Sequence, residues 1–224
     1  MTVLAFDCAV TGLGVAVVRD GACLASLNEG GRDQAARLLP AVESVLADAA
    51  VDRRQLSLVA VTIGPGSFTG VRVGLAAARG LAVGLAVPLA GITTTAVLLA
   101  QAASRDRLVV AAIDSRLGDW FCAVGNGDAA PFVSSTHGLA ARIAGRPCLV
   151  VGTRAATLAD DLVAAGIDAM SEEAVPDPVA LARLAVAAGI DAWRHRNARE
   201  GLPRPLYLRG VNITLPDGAR RTVD

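Results

Sequence analysis

Two distant stretches of this chain share one pattern: "VLAFDCAVTGLGVAVV", starting at Val3, and "VAAIDSRLGDWFCAVG", starting at Val110. Each is an apolar run ending in aspartate, Asp7 or Asp114. Each then turns through a glycine, Gly12 or Gly118, into an alternating second run. A repeat on this scale implies two lobes built on one plan. The 224 residues are enough for two small cores. The expected division is 1–105 for the first lobe, 106–200 for the second and an irregular tail over 201–224, where Pro203, Pro205 and Pro216 fall. The boundary lies near Ser104–Arg107.

The elements between these landmarks alternate in type. After the strand at 2–7, "LGVAVVRD" and "ACLASLNE" read as two more strands of a meander. "RDQAARLLPAVESVLADAA" places Leu38, Leu39, Val42, Val45 and Leu46 at helical spacing, with a bend or restart expected at Pro40. A strand at 57–63, a glycine loop, a helix to Ala86, a strand at 87–92 and a helix at 93–104 follow. The second lobe continues with a strand at 130–134, another in "PCLVVG", a helix at 154–165 and a last helix. Asp177 can cap that helix and Pro178 can occupy its first turn.

A strand ending in aspartate, once in each of two α/β lobes, resembles the actin-like ATPase superfold (ASKHA, ribonuclease H-like). That superfold has mixed sheets flanked by helices and binds a nucleotide between its lobes, with an aspartate on the metal-phosphate side. The simpler alternative is that Asp7 and Asp114 only terminate strands.

The glycine loop "GPGSFTG" comprises Gly64, Pro65, Gly66, Ser67, Phe68, Thr69 and Gly70. A P-loop counted from Gly64 would need its second glycine at Thr69 and then a lysine, and a dinucleotide fingerprint also fails at Thr69. Gly64 and Gly66 permit an unusual turn, Pro65 stiffens it, and Ser67 or Thr69 can cap the next helix. The loop therefore reads mainly as a shaped turn aiming the helix 70–86, with anion binding secondary. Gly70, Gly74, Gly80, Gly84 and Ala76–Ala78 make this helix suited to close approach by another helix, at roughly 1 kcal/mol per helical glycine against alanine.

Composition narrows the chemistry. All 21 basic residues are arginine and balance 21 acidic ones. Lysine-dependent phosphate binding and Schiff-base catalysis are thereby excluded. The two histidines, His137 and His195, form no ligand-spaced pair, and no serine or cysteine triad can be assembled around them. Cys8, Cys23, Cys122 and Cys148 are scattered, as expected of buried apolar residues in a reducing compartment. "MTVLAFD" reads as a first strand instead of a signal peptide. The 25 uncharged residues between Arg79 and Arg105 are divided by Gly84, Pro88 and Gly91, so they read as helix, strand and helix instead of a membrane span.

"TIGPGSFTGVRVGLAAARGLA" closely resembles the signature of the bacterial TsaB (YeaZ) family. "LAFDCAVTGLGVAVV", "RDQAARLLPAVESVL", "IDSRLGDWFCAV" and "PLYLRG" extend the resemblance over nearly the whole chain. The resemblance implies a cytoplasmic, catalytically inactive paralogue of TsaD. Such a subunit pairs with TsaD in the complex, also served by the ATPase TsaE, that makes threonylcarbamoyladenosine beside the tRNA anticodon. It further implies no metal or cofactor of its own, ATP or ADP at the joint interface, tRNA contact through the complex, and a homodimer when alone.

Carried onto this sequence, the TsaD metal segment falls at Thr94–Leu98, "TTAVL", without histidine. Gln34 stands where family members carry histidine. Family dimerisation helices correspond to 33–49 and 70–86. The expected partner interface is therefore Gln34, Arg37, Leu38, Leu39, Val42, Gly70, Val71, Gly74 and Ala78. The competing readings are an ATP-dependent phosphotransferase of the superfold and, for the family's older glycoprotease label, a protease.

Overall fold

The computed structural model describes residues 1–31, 33–102, 106–125 and 129–209, and the backbone of 211–214 and 220–223. The first half folds as β1 (Thr2–Asp7), β2 (Leu13–Arg19), β3 (Ala22–Glu29), α1 (Gln34–Asp48), β4 (Leu58–Thr62), α2 (Phe68–Leu85), β5 (Leu89–Ile92) and α3 (Thr94–Gln101). The second half runs β6 (Leu108–Asp114), β7 (Trp120–Val124), β8 (Phe132–Ser134), α4 (Thr136–Ile143), β9 (Cys148–Gly152), α5 (Ala155–Ala164) and β10 (Ala169–Glu173). It ends in α6 (Pro178–Ala187), α7 (Ile190–Glu200), β11 (Val211–Thr214) and β12 (Arg220–Val223).

The two sheets have one topology. Their strand orders are β3-β2-β1-β4-β5 and β8-β7-β6-β9-β10. In each, the first three strands are antiparallel neighbours and the last two run parallel to the first. Asp7 and Asp114 close the first strand of each sheet, opposite Gly14 and Trp120. The repeat in the sequence is thus a repeat of architecture.

Both faces of each sheet are covered, which explains why β1 and β6 read as continuous apolar runs. Leu4 and Phe6 face the core beneath α1 and α2, while Val3 and Ala5 pack with Ala180, Leu181, Ala185 and Trp193 of α6 and α7. In the second sheet, Val110 and Ala112 meet α4 and α5, while Val109, Ala111 and Ile113 meet Leu98 and Leu99 of α3. The chain therefore crosses twice. α3 follows the first sheet in sequence but packs on the second, and α6 and α7 return to cover the first. Residues 178–200, assigned by the linear reading to the second lobe, belong by packing to the first. α3 and α6 touch each other between the sheets.

Other differences have local causes. α1 runs through Pro40 without a restart; Ala36 and Pro40 both lie on its exposed side, where water can take the carbonyl that proline cannot engage. The expected last helix is two helices, broken at Gly189 with φ +85°. α4 and β10, absent from the sequence reading, are a two-turn helix and an exposed strand. The tail is not irregular throughout, because β11 and β12 pair as an antiparallel hairpin. By length and composition α2 could cross a membrane, but Val71, Leu75, Ala78 and Ala82 pack it onto the first sheet.

Candidate functional site

A cleft of about 830 Å³ separates the lobes. One wall is made by Ala9, Val10 and Thr11 after β1 together with Gly66 to Thr69 of the glycine loop. The other is made by residues 113–116 at the end of β6, by Thr153 and Arg154 before α5, and by Glu173 to Val175 at the end of β10.

The glycine loop is built by two backbones passing at close range. A Cβ on Gly66 would lie 2.0 Å from the Ala9 carbonyl oxygen, and one on Gly70 would lie 1.9 Å from that of Cys8. Gly64 has φ +98° and donates no side chain to crowd Leu206, whose carbonyl oxygen would sit 3.1 Å from a Cβ there. The Ser67 N–H donates to the Ala9 carbonyl at 2.6 Å, and Ser67 Oγ accepts from the Gly70 N–H at 3.2 Å as the cap of α2. Two amides that could face an anion are therefore already engaged, one by the loop after β1 and one by the glycine loop's own serine.

The acids that end β1 and β6 are also occupied. Asp7 is buried, accepts from the Thr62 hydroxyl and accepts from the Ala9 N–H at 3.0 Å. Burial pushes its carboxyl up to about 6, against the lowering effect of those two donors. Asp114 accepts from the Arg116 N–H at 2.8 Å and pairs with Arg154 at 3.0 Å. Glu173 accepts from the Ala156 N–H at 3.1 Å, covering the start of α5 with a carboxylate of the same chain.

These residues do not fit the metal that an actin-like nucleotide site employs. Asp7 is enclosed, Asp114 is neutralised by arginine, and no group of three or more His, Cys, Asp or Glu among the described residues is placed to hold an ion. Thr94, where the TsaD metal segment begins by resemblance, is fully buried and its hydroxyl has no protein partner.

The expected interface residues need correction. Leu38, Val42, Gly70, Val71, Gly74 and Ala78 are buried, on the faces of α1 and α2 turned toward the first sheet. A Cβ on Gly74 would meet Val61 and Cys8 of this chain at 3.4 and 3.7 Å. Gln34 and Arg37 lie beside a depression of about 200 Å³, where Arg37 forms a two-point pair with Glu29 at 3.1 and 2.7 Å. Of the expected apolar set, Leu39 is the residue that faces outward, 52% exposed. The outer side of α2 presents Val83, 70% exposed, with Ala76, Gly80 and Gly84. The residues that sequence reasoning missed are Thr153, Arg154 and Glu173 of the second wall, and Tyr207 of the tail. The topology could have signalled Arg154: the β9–α5 turn is the second-lobe counterpart of the glycine loop.

Two five-stranded sheets of one topology, exchanging helices across a cleft, define the actin-like (ASKHA) architecture. The activator of 2-hydroxyisocaproyl-CoA dehydratase from Clostridium difficile, solved with bound ADPNP, shares this fold at 9% identity with a TM-score of 0.51, over 92% of this chain and 100% of that one. A closer likeness is YeaZ from Pseudomonas aeruginosa, 27% identical with a TM-score of 0.71, over 92% of this chain and 99% of that one. The tRNA threonylcarbamoyladenosine biosynthesis protein TsaB of Escherichia coli is 37% identical over 55% of this chain, and that of Bacillus subtilis 34% identical over 53%. These alignments take in 54% and 52% of the relatives, so the chain spans about half the length of the curated proteins it matches. The family model for TsaD, tRNA N6-adenosine threonylcarbamoyltransferase, matches residues 28–136. Both the curated relatives and the YeaZ structure make the chain similar to the TsaB (YeaZ) family.

Proposed function

We propose that this protein is a non-catalytic subunit of tRNA threonylcarbamoyladenosine biosynthesis that pairs with TsaD through the outer faces of α1 and α2. The observation that carries the reading is the apolar surface those helices leave uncovered, with Leu39 on one and Val83, Ala76, Gly80 and Gly84 on the other. Small residues at this surface let a second backbone come close, and burial of Leu39 and Val83 would supply apolar contact area. The same face would serve a homodimer when TsaD is absent. TsaE and tRNA would meet the assembled pair, ATP or ADP would sit at the joint interface, and the cytoplasm is the compartment this role requires.

The enclosed Asp7 and the Arg154-paired Asp114 support the non-catalytic part of the reading. The alternative, an ATP-dependent phosphotransferase, draws on the size of the cleft and on the nucleotide-bound fold relative. Titration of the isolated chain with ATP and magnesium, then with TsaD, separates the two: the subunit reading expects tight binding only in the second titration.

Leu39→Arg and Val83→Arg test the surface directly. Each should weaken TsaD binding by about ten- to a hundredfold, because a charge is forced into an apolar contact. Each should leave the melting of the isolated chain nearly unchanged, since neither side chain packs inward. Unaltered affinity in both variants would remove α1 and α2 from the interface.

A further inference from the structure

Within four residues the tail contacts both lobes beside the cleft, at the elements that carry its two walls. On the first wall, the Leu206 N–H donates to the Ile63 carbonyl at 2.8 Å, directly before the glycine loop. Tyr207 stacks beside Phe68 with ring centroids 5.7 Å apart, and Arg72 fills the space against both rings while its Nε donates to the Tyr207 hydroxyl at 2.8 Å. Upstream, Arg79 Nε donates to the Pro203 carbonyl at 3.0 Å. On the second wall, Arg209 pairs with Asp119. Asp119 also accepts from the Ser115 hydroxyl, and its carbonyl accepts from the Ser115 N–H at 3.1 Å, so it closes the hairpin between β6 and β7. That hairpin carries Asp114, Ser115 and Arg116 of the cleft lining.

We infer that Leu206–Arg209 is a strap that ties the glycine loop to the β6–β7 hairpin and thereby sets the opening of the cleft. A run from 206 to 209 spans at most roughly 10 Å, which limits how far its two anchor points can part while both ends stay fastened. Several independent bonds hold its first-lobe end: Arg79 to Pro203, Leu206 to Ile63, and the Arg72 stack. Among the described residues, the Arg209–Asp119 ion pair holds its second-lobe end. Release would therefore occur at Arg209, with the tail staying on the first lobe while the second wall swings.

Amide hydrogen exchange on the full chain tests this. Asp119→Asn keeps an oxygen for Ser115 but removes the charge that holds Arg209. Tyr207→Ala touches only the first wall. A strap couples the walls, so each variant should speed exchange on the wall it does not touch: residues 66–69 for Asp119→Asn and 114–119 for Tyr207→Ala. The expected acceleration is about three- to fivefold, the scale of losing one such pair. Arg209→Ala removes the same pair from the tail side, leaves the Ser115–Asp119 bond in place, and should speed exchange at residues 66–69 as Asp119→Asn does. Acceleration confined to the altered wall would overturn the inference, leaving the tail as an ornament of the first lobe. So would uniform acceleration that includes the core amides of β1 and β6, which would mean ordinary loss of stability.

Discussion

Gly70 and Cys8 are in backbone contact: any Cβ at position 70 would fall 1.9 Å from the Cys8 carbonyl oxygen. That oxygen belongs to the loop leaving β1, whose neighbour Ala9 accepts from Ser67, so neither side can retreat cheaply. Gly70→Ala should destabilise the chain by about 3 kcal/mol or more, as should Gly66→Ala against the Ala9 carbonyl. Urea denaturation measures this; a loss below about 1 kcal/mol for both would show that the two loops can separate.

Gly80, in the same helix, should behave in the opposite way. Nothing lies within 4 Å of a Cβ there, and its outward face is exposed. Gly80→Ala should raise stability by about 0.5–1 kcal/mol through helix propensity alone. A destabilised Gly80→Ala would mean that the outer face of α2 is more crowded than its exposure indicates.

This contrast shows where the sequence was legible. The repeated strand ending in aspartate foretold two sheets of one topology, because strand order is dictated by the hairpin that each half rebuilds. The phase of α2 was hidden. Gly70, Gly74, Gly80 and Gly84 are all small, so spacing cannot tell Gly70 and Gly74, buried against the first sheet, from Gly80 and Gly84 outside. The helix exchange was hidden too, because α3 and α6 are apolar enough to serve either sheet and only tertiary packing decides. Arg154, Glu173 and Arg209 reach the cleft region from separate elements, and no local pattern brings them together. Asp7 and Asp114 were legible as strand ends, but their partners Thr62 and Arg154 were not.

Asp7 should give the chain a pH signature. Burial raises its carboxyl from 3.8 in the open chain to about 6 in the fold, so the native state holds this proton more tightly. Its contribution to stability is therefore greatest below the lower value and falls as pH rises through the higher one. Asp7→Asn removes that dependence and keeps an oxygen for Thr62 and the Ala9 N–H. Measured against the variant, the wild type should lose on the order of 2–3 kcal/mol between about pH 4 and pH 7. A constant difference across that range would mean that Asp7 titrates normally.

Asn197 completes the edge of the first sheet. β5 is an end strand, and Asn197 of α7 meets Leu89 as a neighbouring strand would: its Oδ1 accepts from the Leu89 N–H at 2.7 Å and its Nδ2 donates to the Leu89 carbonyl at 3.0 Å. Asn197→Leu should cost about 2 kcal/mol by leaving both backbone groups unpaired, and Asn197→Asp should cost nearly as much because it keeps only the acceptor. If Asn197→Asp melts like the wild type, the bond to the Leu89 carbonyl contributes nothing.

Gln101 fastens the two crossings of the chain to each other. It is the last residue of α3, where the chain first leaves for the second sheet; Val175 and Asp177 lie where it returns to the first. Gln101 Nε2 donates to the Val175 carbonyl and its Oε1 accepts from the Asp177 N–H, both at 2.9 Å. Gln101→Glu keeps the acceptor, loses the donor and sets a carboxylate beside both the Val175 carbonyl and the Asp177 side chain that caps α6. It should destabilise the chain by about 1–2 kcal/mol at neutral pH, and by less below about pH 4, where the new carboxyl is protonated and can again donate. Gln101→Ala should cost a similar amount with no such pH dependence. Melting both variants at pH 7 and at low pH gives the comparison. If Gln101→Glu shows no recovery in acid relative to Gln101→Ala, the Val175 bond does not hold the crossing.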